Sequence, residues 1–170
     1  MAIDDEGWAI DDELYAHIRK ILPAGSTILE LGSGDGTGRL AEHYKMYSVE
    51  HDKQWMNKYN STYLYTPLSW HKRVKNHKGD RWYNATILRS HLVGLKYDLL
   101  LVDGPPESRV GFVKYFDLFD KKAIMVFDDL QRDRDRKIVL SVATKMRLPY
   151  VMYGAGSKKL FGVINDPALS

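Results

Sequence analysis

Residues 26–38 read STILELGSGDGTG, an apolar segment that leads directly into a loop with glycine at every second position. The segment 26–31 has the length and the nearly continuous apolar character of a buried parallel strand. Gly32 and Gly34 allow the backbone to turn sharply and to approach a ligand with no Cβ in the way. A strand that ends in such a loop predicts a ligand site at its carboxyl end.

The rest of the chain alternates between strand and helix patterns. Further strands are predicted at 45–50, 62–68, 97–102 and 122–127, and helices at 13–22, 39–44, 52–59, 85–92, 112–119 and 132–146. Short strands at 149–153 and 159–164 form an antiparallel edge hairpin. The pattern predicts an α/β fold, a doubly wound, Rossmann-like, mostly parallel seven-stranded sheet with helices on both faces.

Length and composition indicate one ordinary globular domain over residues 1–170. Hydrophobic residues make up 44% of the chain and charged residues 28%, a balance typical of a soluble protein, and the expected location is the cytoplasm. The absence of cysteine excludes a disulfide framework, a thiolate zinc site and a cysteine nucleophile. The apolar runs are too short to span a bilayer and the N-terminus is acidic, so no membrane partner is expected.

The second predicted strand ends at Glu50, 18 residues after Gly32. A carboxylate at that place can accept two hydrogen bonds from a ribose diol, so the loop and the acid together predict an adenosine site. The dinucleotide pattern G-x-G-x-x-G fails when it starts at Gly32 or Gly34, and a match from Gly36 lies beyond the strand end. No Lys-Ser or Lys-Thr pair follows, which also argues against a phosphate-binding Walker A loop.

The segments ILELGSGDGTGRL (28–40) and YSVEHD (47–52) resemble motif I and motif II of the class I S-adenosylmethionine-dependent methyltransferases. The resemblance continues through YLYTPL, YDLLLVDGPP and VFDDLQR, over roughly residues 26–131. It implies S-adenosylmethionine as cofactor and methyl transfer as reaction. The cofactor residues that it implies are Glu30, Gly32, Ser33, Gly34, Gly36 and Thr37 for the methionine part, Glu50 for the ribose, His51, Asp52, Pro67 and Leu68 for the adenine, and Asp103 near the reaction centre.

Asp103, Asp128 and Asp129 end two predicted strands that the topology places side by side. Three carboxylates repel one another without a cation, and oxygen ligands favour Mg²⁺, Ca²⁺ or Mn²⁺. Asp103 and Asp128 are the candidate catalytic residues, because a hydroxyl acceptor must lose its proton. The alternative role of Asp128 and Asp129 is to cap the helix that follows.

The VDG segment with a later Asp-Asp pair resembles metal-dependent O-methyltransferases that act on sugars of natural products, in which these aspartates bind Mg²⁺. DGPP and FDDLQR also look like segments of plant polysaccharide methyltransferases. Both resemblances imply a carbohydrate hydroxyl or another small polar acceptor. Pro105 stands where the sugar enzymes carry their base, so Glu107, His51 or Asp128 would have to replace it.

A basic stretch supports a second interpretation. Residues 71–81 read HKRVKNHKGDR and lie between Trp70 and Trp82. A nucleic-acid or nucleotide methyltransferase would use such a stretch to hold phosphates and stack bases, whereas the simpler interpretation is a solvated surface loop. The third interpretation of the chain is a non-catalytic module of the same fold that binds a nucleoside or a partner protein. The sequence leaves the oligomeric state open.

Overall fold

A computed structural model describes residues 10–71, 81–155 and 158–169. The strands are β1 (Thr27–Leu31), β2 (Lys45–Glu50), β3 (Thr62–Tyr65), β4 (Leu68–Trp70), β5 (Arg81–Tyr83), β6 (Leu99–Val102), β7 (Ile124–Phe127), β8 (Tyr150–Tyr153) and β9 (Phe161–Ile164). The helices are α1 (Asp12–Ile21), α2 (Asp35–Ala41), α3 (Ala85–Leu92), α4 (Val110–Tyr115) and α5 (Asp133–Met146), with 3₁₀ turns at Phe116–Leu118 and Pro167–Leu169. None of the helices in this described part of the chain has the length and apolar character that a membrane span requires.

Seven of the strands form one sheet in the order β3-β2-β1-β6-β7-β9-β8. The first five run parallel, and β9 pairs antiparallel with both β7 and β8. The chain order reverses between β1 and β6, and in open α/β sheets the ligand crevice lies beyond the carboxyl ends of the strands at such a point. The predicted seven-stranded, mostly parallel sheet with an antiparallel edge hairpin is therefore confirmed.

Alternate residues of the strands face opposite sides of the sheet, and each side is covered by helices. Ile28, Leu99 and Val126 face the side on which Leu14 and Ile18 of α1 are buried. The neighbouring strand residues Leu29, Leu100 and Met125 face the other side. There they are buried with residues of β5, α3, α4 and α5, which include Trp82, Leu88, Phe112 and Val139. Burial on both faces explains why the central strands are apolar throughout.

Three of the predicted elements differ from the structure. Residues 52–59 form a series of turns instead of a helix, with Asn57 in the left-handed region at φ 58°. Helix α2 begins at Asp35, not at 39, because Thr37 Oγ1 accepts a hydrogen bond of 3.1 Å from the Gly34 N–H and stabilises the first turn. The predicted strand 62–68 ends at Tyr65, and after Pro67 the chain turns away into β4, which pairs antiparallel with β5 in a separate two-stranded sheet.

Candidate active site

A cavity of about 230 Å³ lies at the carboxyl ends of the parallel strands. The loops after β1, β2, β6 and β7 line it, which is the position expected from the topology. Nine of the residues singled out in the sequence line this cavity: Gly32, Ser33, Gly34, Glu50, His51, Asp52, Asp103, Asp128 and Asp129. The glycine loop, the acid after β2 and the three aspartates thus belong to one surface.

The loop after β1 touches the loop after β6 at two glycines. Gly32 has φ +87°, and a Cβ built on it would lie 3.1 Å from the Cα of Gly104. A side chain at Gly32 would therefore strain the backbone and push the two loops apart. Gly34 has an extended backbone, φ −162°, that any residue adopts. The sharp turn predicted for both glycines is thus made by Gly32.

Glu50 is almost fully buried, and its carboxylate organises the loops around it. Its Oε2 accepts a hydrogen bond of 2.9 Å from the Ser33 N–H, and its Oε1 accepts bonds of 2.8 Å from the N–H groups of His51 and Asp52. Burial raises the pKa of Glu50, but the hydrogen bonds from His51, Asp52 and Ser33 outweigh burial, so the pKa lies below its ordinary value. An ionised carboxylate therefore stands at the cavity, and its Oε2 has one further lone pair for a donor.

The remaining predicted cofactor residues lie outside the main cavity. Glu30, Gly36 and Thr37 line a smaller pocket beside it, together with Asp103 and Asp128. Glu30 Oε1 accepts hydrogen bonds of 2.7 Å from Thr37 Oγ1 and 2.5 Å from Ser48 Oγ. Pro67 precedes β4 and Leu68 begins it, and neither residue lines either of these two cavities.

The three aspartates that end β6 and β7 come together as the topology predicts. One carboxylate oxygen from each of Asp103, Asp128 and Asp129 lies within 4.8 Å of the other two, and we call this group the aspartate cluster. Helix capping does not explain it, since α5 begins at Asp133 and its N-cap residue is Arg132. Asp129 has φ 59°, a left-handed conformation that aspartate tolerates better than most residues.

A buried arginine that sequence reasoning missed lies against the aspartate cluster. Arg109, 4% exposed, donates from Nη1 to the Asp128 carbonyl at 2.6 Å and from Nη2 to the Asp103 carbonyl at 2.9 Å. Its Nη2 also donates to Asp129 Oδ2 at 3.2 Å and contacts Asp103 Oδ1 at 3.5 Å. Arg132 Nη2 makes a second bond of 3.2 Å to Asp129 Oδ2. Among the residues that the structure describes, no ion pair joins an arginine to the carboxylate of Asp128.

Burial and mutual repulsion set the proton affinity of the aspartate cluster. Burial raises the pKa of Asp103 well above its ordinary value and the Asp128 carboxylate adds to this, although 35% of the Asp103 side chain faces the open cavity. Burial also raises the pKa of Asp128, helped by the charge of Asp129 and opposed by Arg109 and by the hydrogen bond from the Asp129 N–H. Carboxyls with a raised pKa next to a cavity are candidates for proton transfer near neutral pH.

The other two bases considered in the sequence occupy different settings. Glu107 forms a bidentate pair with Arg81, with distances of 2.6–3.1 Å, and this pair holds the pKa of Glu107 below its usual value. His51 lines the cavity, and its Nδ1 lies 3.2 Å from Glu50 Oε1. Asp128 lines the same cavity and, within the described part of the chain, forms no ion pair with an arginine, although Lys159, which also lines the cavity, helps to lower the pKa of Asp128.

Most of the basic stretch, residues 72–80, lies outside the described residues. Its neighbours Trp70 and Trp82 have opposite settings, since Trp70 is 72% exposed whereas Trp82 is fully buried and stacks on Tyr115 with ring centroids 5.6 Å apart. Trp82 is therefore a core residue and is unavailable to stack on a base.

The fold is shared with solved methyltransferase structures. The sequence itself matches no family model and no curated protein. MycE methyltransferase from the mycinamycin biosynthetic pathway, solved with Mg, SAH and mycinamycin VI, aligns over 91% of this chain and 45% of its own, with 15% identity and a TM-score of 0.52. This chain thus corresponds to less than half of that protein.

Two further neighbours align over most of their own length. A methyltransferase from Pyrococcus furiosus aligns over 89% of this chain and 80% of its own, with 11% identity and a TM-score of 0.51. A ribosomal protein L11 methylase from Lactobacillus delbrueckii subsp. bulgaricus aligns over 95% and 83%, with 14% identity and a TM-score of 0.54. The chain shares the fold of these methyltransferases, and a shared fold does not determine activity or substrate.

Proposed function

We propose that this chain is an S-adenosylmethionine-dependent methyltransferase that acts on a hydroxyl of a sugar or another small polar molecule. The observation that carries the proposal is the single cavity that joins Gly32–Gly34, Glu50 and the aspartate cluster at the carboxyl ends of β1, β2, β6 and β7. The end of the cavity formed by Gly32–Gly34 and Glu50 suits a nucleoside, and the end formed by the aspartate cluster suits proton transfer.

The residues around Glu50 fit the cofactor. Its ionised carboxylate, with Oε2 accepting one bond from the Ser33 N–H, retains capacity for a ribose hydroxyl. The Gly32 turn lets the backbone lie close to the methionine part. His51 and Asp52 flank the same wall of the cavity and are proposed to contact the adenine. S-adenosylmethionine, when bound, supplies a methyl group on a positively charged sulfur.

Asp128 is the proposed base for a hydroxyl acceptor. Its carboxylate lines the cavity, and burial raises the pKa of Asp128, which strengthens this carboxylate as a proton acceptor. Asp128 would take the proton of the acceptor hydroxyl, and the bound cofactor would supply the methyl group to the acceptor oxygen. Asp103, on the adjacent strand end, is proposed to orient the acceptor, and the remaining rate enhancement comes from alignment of the reacting atoms.

Calorimetric titration with S-adenosylmethionine, and with NAD in parallel, tests the cofactor. The wild type is expected to bind S-adenosylmethionine and not NAD. The Glu50→Gln substitution removes the negative charge that receives the ribose, and because hydrogen bonds to charged groups contribute about 1.5–3 kcal/mol, affinity is expected to fall roughly 10–100-fold. Glu42→Gln, at an exposed glutamate just after α2, is the matched control and leaves affinity unchanged.

A screen for the acceptor then follows formation of S-adenosylhomocysteine in the presence of sugars and glycosides. Turnover with a hydroxyl compound supports the acceptor class. Binding of the cofactor with turnover only on oligonucleotides would shift the assignment to nucleic-acid methylation, and no cofactor binding at all would favour a non-catalytic module.

A further inference from the structure

The aspartate cluster has the ligand chemistry of a site for a divalent cation, but a positively charged side chain already lies against it. One carboxylate oxygen from each of the three aspartates lies within 4.8 Å of the other two. Arg109 Nη2 contacts two of the three carboxylates, at 3.2 Å from Asp129 Oδ2 and 3.5 Å from Asp103 Oδ1. An ion shared by those carboxylates would lie within a few ångströms of this guanidinium.

Arg109 is tied to the backbone as well as to the carboxylates. Its bonds to the carbonyls of Asp128 and Asp103, 2.6 Å and 2.9 Å, join the guanidinium to the ends of both strands that carry the aspartate cluster. A guanidinium keeps its proton at every pH at which a protein is folded. If it left, two carbonyls would lose a charged donor in a place that is almost closed to water.

We propose that Arg109 is the resident cation of the aspartate cluster and takes the place of the predicted divalent metal. Its charge, together with that of Arg132 on Asp129, offsets the charges of the Asp103 and Asp129 carboxylates. A dication a few ångströms from the fixed guanidinium would meet strong repulsion, which lowers the affinity of the aspartate cluster for metal. This inference concerns the chain without cofactor and does not depend on methyl transfer.

Titration with Mn²⁺ alone, followed by electron paramagnetic resonance of the free ion, tests the inference. Wild type is expected to bind Mn²⁺ weakly, and Asp129→Asn in the wild-type chain is expected to leave that weak binding unchanged. Arg109→Gln removes the charge and is expected to tighten Mn²⁺ binding at least tenfold. Arg109→Lys keeps the charge and is the matched control, with no such gain. Adding Asp129→Asn to Arg109→Gln abolishes the gain if the ion binds in the aspartate cluster.

Two results would overturn the inference. One is a wild-type chain that binds one Mn²⁺ at micromolar concentration and loses it in Asp129→Asn, a comparison that stands even if Arg109→Gln does not fold. The other is a folded Arg109→Gln chain, checked by circular dichroism, with the same Mn²⁺ affinity as wild type. Because S-adenosylmethionine is absent from these titrations, failure of the proposed function and failure of this inference are separate results.

Discussion

Glu30 is a buried carboxyl that contributes to the pH dependence of stability. Burial raises its pKa from 4.5 to about 7, and the hydrogen bonds from Ser48 and Thr37 offset only part of that rise. Since the folded pKa exceeds the unfolded one, the folded chain binds the extra proton between pH 4.5 and about 7, and the free energy of unfolding falls as pH rises through this window. Glu30→Gln removes this loss, which amounts to at most about 3 kcal/mol.

Urea unfolding at pH 5 and pH 8 measures the effect as a difference between wild type and variant. Wild type is expected to lose more stability than Glu30→Gln over this interval, and Glu42→Gln is expected to behave as wild type. Equal losses in wild type and Glu30→Gln would show that Glu30 is not protonated in the folded chain.

At the scale of single residues, sequence reasoning found the acidic residues of the site and missed Arg109, the arginine that bonds to them. Asp103, Asp128 and Glu50 stand at predicted strand ends, and strand ends can be located from hydrophobic patterning. Arg109 lies in a loop before α4, with no periodicity to indicate that its side chain turns back to two strand ends. The one available signal was the need for a cation near three carboxylates, and that need does not identify which arginine supplies it.

Helix α4 packs on β5 so closely that one glycine decides the contact. A Cβ at Gly111 would lie 2.3 Å from Cγ of Trp82, whose ring is buried. Alanine normally stabilises a helix relative to glycine by up to about 1 kcal/mol, but the clash requires Trp82 or the helix to move. Gly111→Ala is therefore expected to lower the free energy of unfolding by about 1–3 kcal/mol.

Thermal or urea unfolding checks this value against Ser141→Ala, an exposed position on α5 where alanine is expected to be neutral or slightly stabilising. A Gly111→Ala chain as stable as wild type would mean that α4 and Trp82 are less closely packed than the structure shows.

The predictions at the level of elements failed where tertiary pairing decides the conformation. Residues 52–59 have no sequence signal that separates a helix from the turns that the structure shows. The segment TYLYTPL predicts one strand over 62–68, yet its Pro67 lacks the N–H that a ladder needs. The β4–β5 pair joins residues 68–70 to residues 81–83, a contact that local patterning does not reveal.

At the scale of the whole molecule, Asp166 joins elements from opposite ends of the chain. Its Oδ2 lies 3.1 Å from Nε2 of His17 on α1 and accepts a hydrogen bond from the Tyr153 hydroxyl at the end of β8. Asp166→Ala leaves both groups without this partner. The expected loss is about 1–3 kcal/mol in the free energy of unfolding, since this is the cost of an unsatisfied buried polar group and His17 is buried, whereas Tyr153 is only partly so.

Asp117→Ala is the comparison for this substitution. Asp117 pairs with Lys121 on the exposed surface, where such pairs contribute less than about 1 kcal/mol. A loss no greater in Asp166→Ala than in Asp117→Ala would mean that α1 packs on the sheet through its apolar face alone.

The overall topology was predictable because it depends on few rules. Alternating strands and helices with right-handed crossovers restrict the arrangement to a doubly wound sheet, and the segment 149–164 then fits as an edge hairpin. The Asp166 contact was not predictable, because it joins His17 to a residue 149 positions away.

The contact between Gly32 and Gly104 has a thermodynamic consequence. The first glycine belongs to the loop proposed to hold the cofactor, and the second follows Asp103 on the acceptor side of the cavity. With only backbone between them, neither loop can move toward the other independently. If filling one half of the cavity displaces its loop, the free energy of filling the other half changes too, and linkage requires that the factor be the same in both directions.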